Sequence, residues 1–190
     1  MDPLKRPILL ASNSPRRRDL LQDAGFTFRV EATDIDESFP DDMPPEDVAP
    51  WLAQRKASAA KSLIRGDEIV LAADSVVILG QTIFNKPADY DEAFSMIRAL
   101  SGQQHRVITG VCLLNARKEV VLAGVTKVWF AEISDAEIDY YIQHFPPYDK
   151  AGSYGAQDWL GHCKITRLEG TFPNVMGLPV DLVHDALRHF

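Results

Sequence analysis

Two adjacent arginines, Arg16 and Arg17, stand where the sequence changes from a short apolar run to a helical pattern. We expect Ser14 to cap this helix and Pro15 to occupy its first turn. The N-terminus of a helix carries partial positive charge, so cations are normally disfavoured there. A polyphosphate ligand would explain why arginines stand there instead, because guanidinium groups make paired hydrogen bonds to phosphate. The alternative is a solvated basic turn whose charge is offset by acids such as Asp19.

An acidic, proline-rich stretch at 33–45 has the composition of a loop and contains Asp36 and Glu37. Carboxylate oxygens suit a hard cation such as Mg²⁺, which typically takes one or two of them together with substrate phosphates. The pattern therefore allows a metal site. The alternative, which the sequence by itself favours, is a solvated acidic loop.

A further carboxylate, Asp74, follows the apolar run 69–73, which we interpret as a buried strand. Open α/β sheets place ligand groups at the carboxyl ends of such strands, where a carboxylate can serve as a base or a metal ligand. The alternative is a helix cap or a turn former. The residues that follow, 76–79, look like another strand, which weakens that alternative.

Two lysines and one glycine-rich run complete the polar candidates. Lys56 lies on a helical pattern and Lys86 in an Asn-Lys-Pro turn, and each could either neutralise phosphate or be an ordinary exposed charge. The run 149–157 contains two glycines, which allow close approach of the backbone to a flat ligand. Its last residue, Gln157, can donate and accept hydrogen bonds towards the edge of a base. The alternative for this run is a structural turn.

Composition limits the classes of function. The 190 residues contain 20 Lys and Arg against 27 Asp and Glu, a net charge of −7. Non-specific binding to nucleic acid or to an anionic membrane requires positive charge, so we expect neither partner, although one basic pocket could hold a small anion. Cys112 and Cys163 are far apart in sequence, and we expect two buried thiols in a reducing compartment. No signal peptide or bilayer-length apolar stretch is evident, which favours a cytoplasmic protein.

The elements that would position these residues alternate between strands and helices. The mixture, with one hairpin near the middle of the chain, predicts an α/β or α+β fold around one mixed sheet, in a single domain over 1–190. Ser134 and Glu137 have the spacing of a capping box. The stretch 153–173 is glycine-rich, with short strand-like pieces. We expect strands at 8–11, 26–32, 69–73, 76–79, 105–114 and 119–130, and helices at 15–24, 46–64, 90–100, 135–145 and 178–190.

Several of these runs, in their order along the chain, resemble the Maf family of nucleoside triphosphate pyrophosphatases. They extend over almost the whole sequence, and the most specific are the SxSPRR pattern and the KAG-Tyr-Gln run. The matching runs are LLASNSPRR (9–17), DIDE (34–37), LAQRKA (52–57), LAADSVV (71–77), NKP (85–87), EAFSMIRALSGQQHRVITGV (92–111), DKAGSYGAQ (149–157) and EGTFPNVMGLP (169–179).

The resemblance implies hydrolysis of a nucleoside triphosphate to the monophosphate and pyrophosphate with a divalent cation, Mg²⁺ or Mn²⁺. It implies an α/β fold with a central mixed sheet flanked by helices and two lobes around a cleft, similar to inosine triphosphate pyrophosphatases, and it allows a homodimer. Asp74 matches the proton acceptor of the family. The sequence leaves open whether Asp36 or Glu37 is the main metal ligand, with Asp74 as a further ligand. The conserved polar cleft, where we infer phosphate and metal contacts, is matched by Ser12, Arg17, Glu37, Lys56 and Lys86.

The positions that set base preference in the family are matched by Arg16, Ser75 and Gln157. Arg at position 16 and Gln at position 157 resemble the branch of the family that acts on dTTP and UTP. Modified pyrimidine nucleotides are further candidate substrates. That branch usually has Thr where Ser75 stands, and a lost methyl contact of about 1 kcal/mol could soften the preference without reversing it. Asn85, where the family mostly has Gly, is a second departure. The alternatives are a 7-methyl-GTP pyrophosphatase and a non-catalytic nucleotide-binding regulator of cell division.

Overall fold

A mixed seven-stranded sheet organises the computed structural model, which describes residues 5–190. Its strands are β1 (Ile8–Leu10), β2 (Phe28–Val30), β3 (Ile69–Leu79), β4 (Thr82–Phe84), β5 (Gln104–Leu114), β6 (Glu119–Phe130) and β7 (Ile165–Glu169). The helices are α1 (Pro15–Asp23), α2 (Pro45–Ala60), α3 (Tyr90–Leu100), α4 (Asp135–His144), α5 (Trp159–Lys164), α6 (Phe172–Met176) and α7 (Val180–Arg188), with 3₁₀ turns at Lys61–Leu63 and Ala151–Ser153. None of the helices within the described range combines the length and apolar character needed to cross a membrane.

The strand order is β2-β1-β3-β5-β6-β7, with β4 paired to β3. β1 is parallel to both of its neighbours, whereas β4 and β7 are antiparallel to their partners β3 and β6. The prediction of a mixed sheet in an α/β protein is confirmed, and so is the hairpin that joins β5 to β6.

β1 is short but fully buried, because α1 and α7 pack on one of its faces and α2 packs on the other. Leu9 aligns with Val70 of β3 on one side and with Arg29 of β2 on the other. A parallel strand of this kind reads as a continuous apolar run, which is why the sequence revealed it. Since β1 leads directly into α1, this buried strand fixes the start of the turn that carries Arg16 and Arg17.

α2 packs its alanine-rich face closely against β5. A Cβ atom at Gly110 would overlap the backbone of Ala49 and Pro50, so only glycine allows this approach. Pro45 lies in the first turn of the helix, where its missing N–H costs nothing, and acids follow it as the helix dipole favours. The tight contact fixes the position of α2 and therefore of Lys56, which lies in its last two turns.

β3 differs from our expectation of two separate strands, one before and one after Asp74. The structure has one strand of eleven residues, and Asp74 and Ser75 lie in its middle as half-buried residues between buried apolar segments. Asp74 is therefore not at the carboxyl end of a strand, as the sequence suggested. A carboxylate can occupy the interior of a strand here because Lys56 supplies an opposite charge beside it.

The chain divides into two compact units. The first consists of residues 1–74, 109–124 and 177–190, of which residues 1–4 lie outside the described range, and the second of residues 75–108 and 125–176. Each unit has its own hydrophobic core: clusters around β1 and the first half of β3 in the first unit, and a cluster that includes Ile97, Phe130 and Tyr141 in the second. That residues 1–190 act as one functional domain stays a prediction.

The glycine-rich region after α4 contains more regular structure than we expected. α5 and α6 are helices of six and five residues, too short to give a helical hydrophobic pattern. Cys163 on α5 is exposed, so our expectation of two buried thiols is wrong for that residue, whereas Cys112 is buried. The capping box of α4 is confirmed, since Glu137 accepts a hydrogen bond from the backbone N–H of Ser134 at 2.9 Å.

Candidate functional site

The basic turn between β1 and α1 is held by Arg17. Its Nε donates to the carbonyl oxygen of Gly177 at 2.8 Å, and its Nη1 donates to the hydroxyl of Ser12 at 3.2 Å. The same hydroxyl accepts the N–H of Ser14 at 3.2 Å, whereas the side chain of Ser14 makes no capping hydrogen bond to the helix. Ser12, rather than Ser14, therefore orders the turn. The structure thus brings Ser12 and Arg17 into contact.

Electrostatic interactions connect Arg17 to three other candidates. Burial lowers the pKa of its guanidinium below the ordinary value, and the positive charge of Arg16 lowers it further. The negative charges of Asp74 and Glu37 oppose this shift of the pKa. An arginine remains protonated in proteins, so the pair Arg16–Arg17 presents two repelling positive charges that a polyanion would relieve.

Lys56 joins two carboxylates. Its Nζ lies 2.7 Å from Oε1 of Glu37 and 2.5 Å from Oδ1 of Asp74. The side chains of Lys56 and Asp74 are only 12% and 13% exposed, whereas that of Glu37 is 48% exposed. α2, β3 and the acidic loop thus deliver one residue each to a compact cluster, which we call the lysine–carboxylate cluster. In it, one ammonium group balances one of the two negative charges.

Asp36 is engaged elsewhere in the acidic loop. Its two carboxylate oxygens accept hydrogen bonds from the backbone N–H and the hydroxyl of Ser38, at 2.9 and 2.7 Å. These hydrogen bonds lower the pKa of Asp36. Arg55 donates to the carbonyl oxygen of Ser38 at 3.1 Å, which ties the loop to α2. Asp36 therefore shapes the loop, and its neighbour Glu37 reaches Lys56.

The chemistry of the lysine–carboxylate cluster suits a divalent cation. Two carboxylate oxygens, one each from Glu37 and Asp74, converge on a single positive charge. Within residues 5–190, no group of three or more His, Cys, Asp or Glu side chains is arranged to hold a metal. Mg²⁺ typically takes one or two carboxylates and completes its coordination with water and phosphate oxygens, so two protein ligands are sufficient.

The second unit carries the remaining predicted residues: Ser75, Lys86 and Gln157. Ser75 follows Asp74 in β3 and is half-buried, whereas Lys86 is exposed after β4. Gln157 lies in the run 149–157, and its Oε1 is buried without a hydrogen-bond partner. Leaving a buried amide oxygen unpaired typically costs about 1–3 kcal/mol, so Gln157 is a strong candidate for a ligand contact.

Three polar residues in and around this run were not identified as site residues from the sequence: Tyr141, Lys150 and Asp158. The Tyr141 hydroxyl donates to Oδ2 of Asp158 at 3.0 Å, and Nζ of Lys150 lies 3.6 Å from the same oxygen. Tyr141 matched the apolar face of α4, so its polar contact gave no sequence signal. Lys150 lies within the run 149–157, but its proximity to the carboxylates of Asp149 and Asp158 is visible only in the structure.

Comparison with known proteins identifies the family. The model of the family described as Maf-like protein matches residues 7–190. A dTTP/UTP pyrophosphatase of Parabacteroides distasonis is 43% identical over 187 residues, which cover 98% of this chain and 97% of that protein. A protein of the same name from Porphyromonas gingivalis is 44% identical over 194 residues, covering 100% and 98% of the two chains.

A solved structure has a similar fold. The structure of a HAM1 protein from Coxiella burnetii superposes with a TM-score of 0.53 at 15% sequence identity, over 97% of this chain and 98% of that one. At this identity the likeness concerns the fold, a mixed α/β architecture. The match of the family model over nearly the whole chain, with relatives above 40% identity at full length, shows that the chain belongs to the Maf family.

Proposed function

We propose that this chain hydrolyses dTTP and UTP to the nucleoside monophosphate and pyrophosphate. The full-length relatives named dTTP/UTP pyrophosphatase support this reaction. The observation that carries it is the lysine–carboxylate cluster, in which Lys56 bridges Glu37 and Asp74 within the electrostatic reach of Arg17. Cations for phosphate oxygens and carboxylates for a proton and a metal are the groups that hydrolysis of a phosphoanhydride needs.

The basic residues of the first unit bind the triphosphate. Arg17 is oriented by Ser12 and Gly177, so its guanidinium loses little further freedom when it binds. Arg16 adds a second guanidinium, and Lys56 adds an ammonium group. We also propose a phosphate contact for Lys86, as the resemblance to the family implies. Together these charges explain how a chain with net charge −7 can accept a polyanionic substrate.

Asp74 is the general base in this proposal. Its Oδ1 pairs with Lys56, which fixes the orientation of the carboxylate in the middle of β3. Asp74 takes a proton from the water that cleaves the anhydride bond between the α and β phosphates, and pyrophosphate leaves. General base catalysis of this kind contributes typically about 10²–10⁴-fold to a rate.

A divalent cation, Mg²⁺ or Mn²⁺, would be held by Glu37 and Asp74. When bound, it offsets the negative charge of the phosphate oxygens and polarises them. Asp36 is the weaker candidate as a ligand, because both of its carboxylate oxygens already bond to Ser38. The side chain of Glu37 is 48% exposed, so a hydrated cation can reach its carboxylate from solvent.

Gln157 supports the preference for dTTP and UTP. Thymine and uracil both present an N3–H group between two carbonyl oxygens, whereas N3 of cytosine has no hydrogen. The unpaired, buried Oε1 of Gln157 needs a donor, and its amide N–H₂ can donate to the neighbouring carbonyl of the base. Arg16 and Ser75 are the further specificity residues of this proposal.

The setting of the enzyme is also a proposal. Two cysteines without a disulfide fit a reducing cytoplasm. We further propose that the chain acts as one functional domain and that it can form a homodimer, which sedimentation of the purified protein would test.

Pyrophosphate release from dTTP, UTP, CTP, 7-methyl-GTP and ITP, with Mg²⁺ and with EDTA, tests the proposed function. We expect rapid release from dTTP and UTP that EDTA abolishes. Release from 7-methyl-GTP alone would preserve the chemistry and overturn the base preference, which would direct attention to Ser75. No release from any nucleotide, combined with measurable binding, would favour a non-catalytic regulator instead.

A further inference from the structure

Gln157 lies in a tight turn whose two ends are joined. The N–H of Asp158 donates to the carbonyl oxygen of Gly155 at 3.1 Å, the hydrogen bond of a β-turn, and Gln157 is its third residue. The Tyr141 hydroxyl joins the same two ends through their other groups. It accepts the N–H of Gly155 at 3.0 Å and donates to Oδ2 of Asp158 at 3.0 Å.

Two glycines allow this turn to pack closely. A Cβ atom at Gly155 would overlap the carboxylate of Asp158, and one at Gly161 on α5 would overlap the backbone of Ala156. The turn is therefore held from three directions: by Tyr141 of α4, by Asp158 and by the first turns of α5. Backbone this tightly fixed leaves the side chain of Gln157 few directions in which to point.

Asp158 is used in an unusual way for its position. It is the N-cap residue of α5, where an Asp side chain commonly accepts backbone N–H groups of the first turn, but its side chain makes no such bond. Its carboxylate contacts the Tyr141 hydroxyl instead, and Lys150 lies 3.6 Å from the same oxygen. Burial, followed by the charge of Asp158, raises the pKa of Tyr141, so the hydroxyl keeps its proton and remains a donor.

We propose that Tyr141 and Asp158 are positioning residues for Gln157, and that they set the discrimination between bases with an N3–H and cytosine. This inference rests on the proposed function. The bridge through the Tyr141 hydroxyl holds the turn in the conformation that keeps Oε1 of Gln157 buried and unpaired. Without the bridge, the turn relaxes and the amide finds other partners, so the site loses its fixed acceptor for N3–H.

The test compares UTP with CTP in four proteins: wild type, Tyr141→Phe, Gln157→Ala and the double variant. We expect Tyr141→Phe to lower the ratio of kcat/KM for UTP to that for CTP by about five- to tenfold, the loss that one hydrogen bond typically produces. The change appears mainly in the KM for UTP, with kcat within about twofold of wild type. In the Gln157→Ala background, Tyr141→Phe changes the ratio no further, because it acts through Gln157.

Tyr140→Phe is the matched control, since Tyr140 is the exposed neighbour of Tyr141 on α4 and should leave the ratio unchanged. Asp158→Ala and Asp158→Asn keep the test available if Tyr141→Phe fails to fold. The alanine variant should reproduce the loss, and the asparagine variant, which keeps an acceptor for the Tyr141 hydroxyl, should retain most of the discrimination.

Two outcomes would overturn the inference. One is an unchanged UTP to CTP ratio in Tyr141→Phe and Asp158→Ala when the wild type discriminates, which leaves the proposed function intact. The other is an equal fall in kcat for both nucleotides that persists in the Gln157→Ala background, as a purely structural role would give. If the wild type hydrolyses neither dTTP nor UTP, the proposed function itself has failed, and this inference fails with it.

Discussion

Nζ of Lys56 lies 2.5 Å from Oδ1 of Asp74, and both side chains are nearly buried. The pair joins α2 to the middle of β3 and places a carboxylate where an apolar strand would otherwise exclude it. Because Glu37 contacts the same ammonium group, Lys56 holds together the two carboxylates that the proposed reaction needs. The contact therefore fixes the position of the Asp74 carboxylate relative to α2.

Asp74→Asn tests the proposed base. The amide keeps the size of the side chain and a hydrogen-bond acceptor but cannot take a proton. We expect pyrophosphate release from UTP to fall by about 10²–10⁴-fold, while the affinity for a non-hydrolysable UTP analogue changes little. Asp185→Asn, at an exposed site on α7, is the control and should keep full activity. Full activity in Asp74→Asn would show that another group accepts the proton.

Glu37→Gln and Asp36→Asn separate the two candidate metal ligands. Glu37 contacts Lys56, whereas Asp36 bonds to Ser38. The Asn variant can still accept the backbone N–H of Ser38 through its one oxygen and can donate to the Ser38 hydroxyl through its amide nitrogen. We expect Glu37→Gln to raise the Mg²⁺ concentration for half-maximal activity by about tenfold or more, and Asp36→Asn to leave it nearly unchanged. Calorimetric titration with Mn²⁺ should give the same order of affinities. The opposite order would assign the metal to Asp36.

The sequence predicted the members of the lysine–carboxylate cluster from residue types and from the family resemblance, but it did not predict their geometry. Asp74 and Ser75 interrupt an apolar run, and such an interruption usually marks the end of a strand. The strand continues because of Lys56, which is 18 residues earlier in the chain. A charge that is compensated by a residue on another element leaves no local pattern, so the continuity of β3 could not be read from the residues around it.

The contacts of Asp36, Glu37 and Tyr141 also depend on the folded structure and could not be predicted from the neighbouring residues. The sequence left Asp36 and Glu37 equivalent, since both lie in one acidic loop. The hydrogen bonds from Ser38 to Asp36 distinguish them, and these depend on the conformation of the loop. Tyr141 is buried on α4 beside Ile138 and Ile142, but its hydroxyl contacts residues 14 and 17 positions later, which helical periodicity does not describe.

Gly110→Ala tests the close contact of α2 with β5. The added methyl group would overlap the backbone of Ala49 and Pro50, which cannot move without shifting the helix. We expect a loss of about 2–3 kcal/mol in the free energy of unfolding, measured by chemical denaturation. Gly66→Ala is the control: nothing lies within 4 Å of its added atom, and only its φ of +64° is unfavourable. That strain costs about 1–2 kcal/mol. Equal losses in the two variants would show that the contact is not tight.

His105 gives the protein a dependence of stability on pH. Its side chain is 1% exposed, its Nε2 lies 2.7 Å from the Tyr154 hydroxyl, and its Nδ1 is buried without a partner. Burial lowers the pKa of His105 from 6.5 to about 4, because the charged imidazolium cannot be solvated there. Between these two values the unfolded chain binds more protons than the folded one, so the free energy of unfolding rises with pH in this window.

The contribution of His105 is therefore complete above a pH of about 6.5 and is lost as the pH falls towards 4, by about 3 kcal/mol in total. His105→Gln keeps a polar group beside Tyr154 but does not titrate, so its stability should fall less steeply over this range. Chemical denaturation at several pH values measures the two slopes, and their difference removes the contribution of carboxylates that both proteins share. Identical slopes for His105→Gln and wild type would mean that His105 titrates in the folded protein as it does in the unfolded chain.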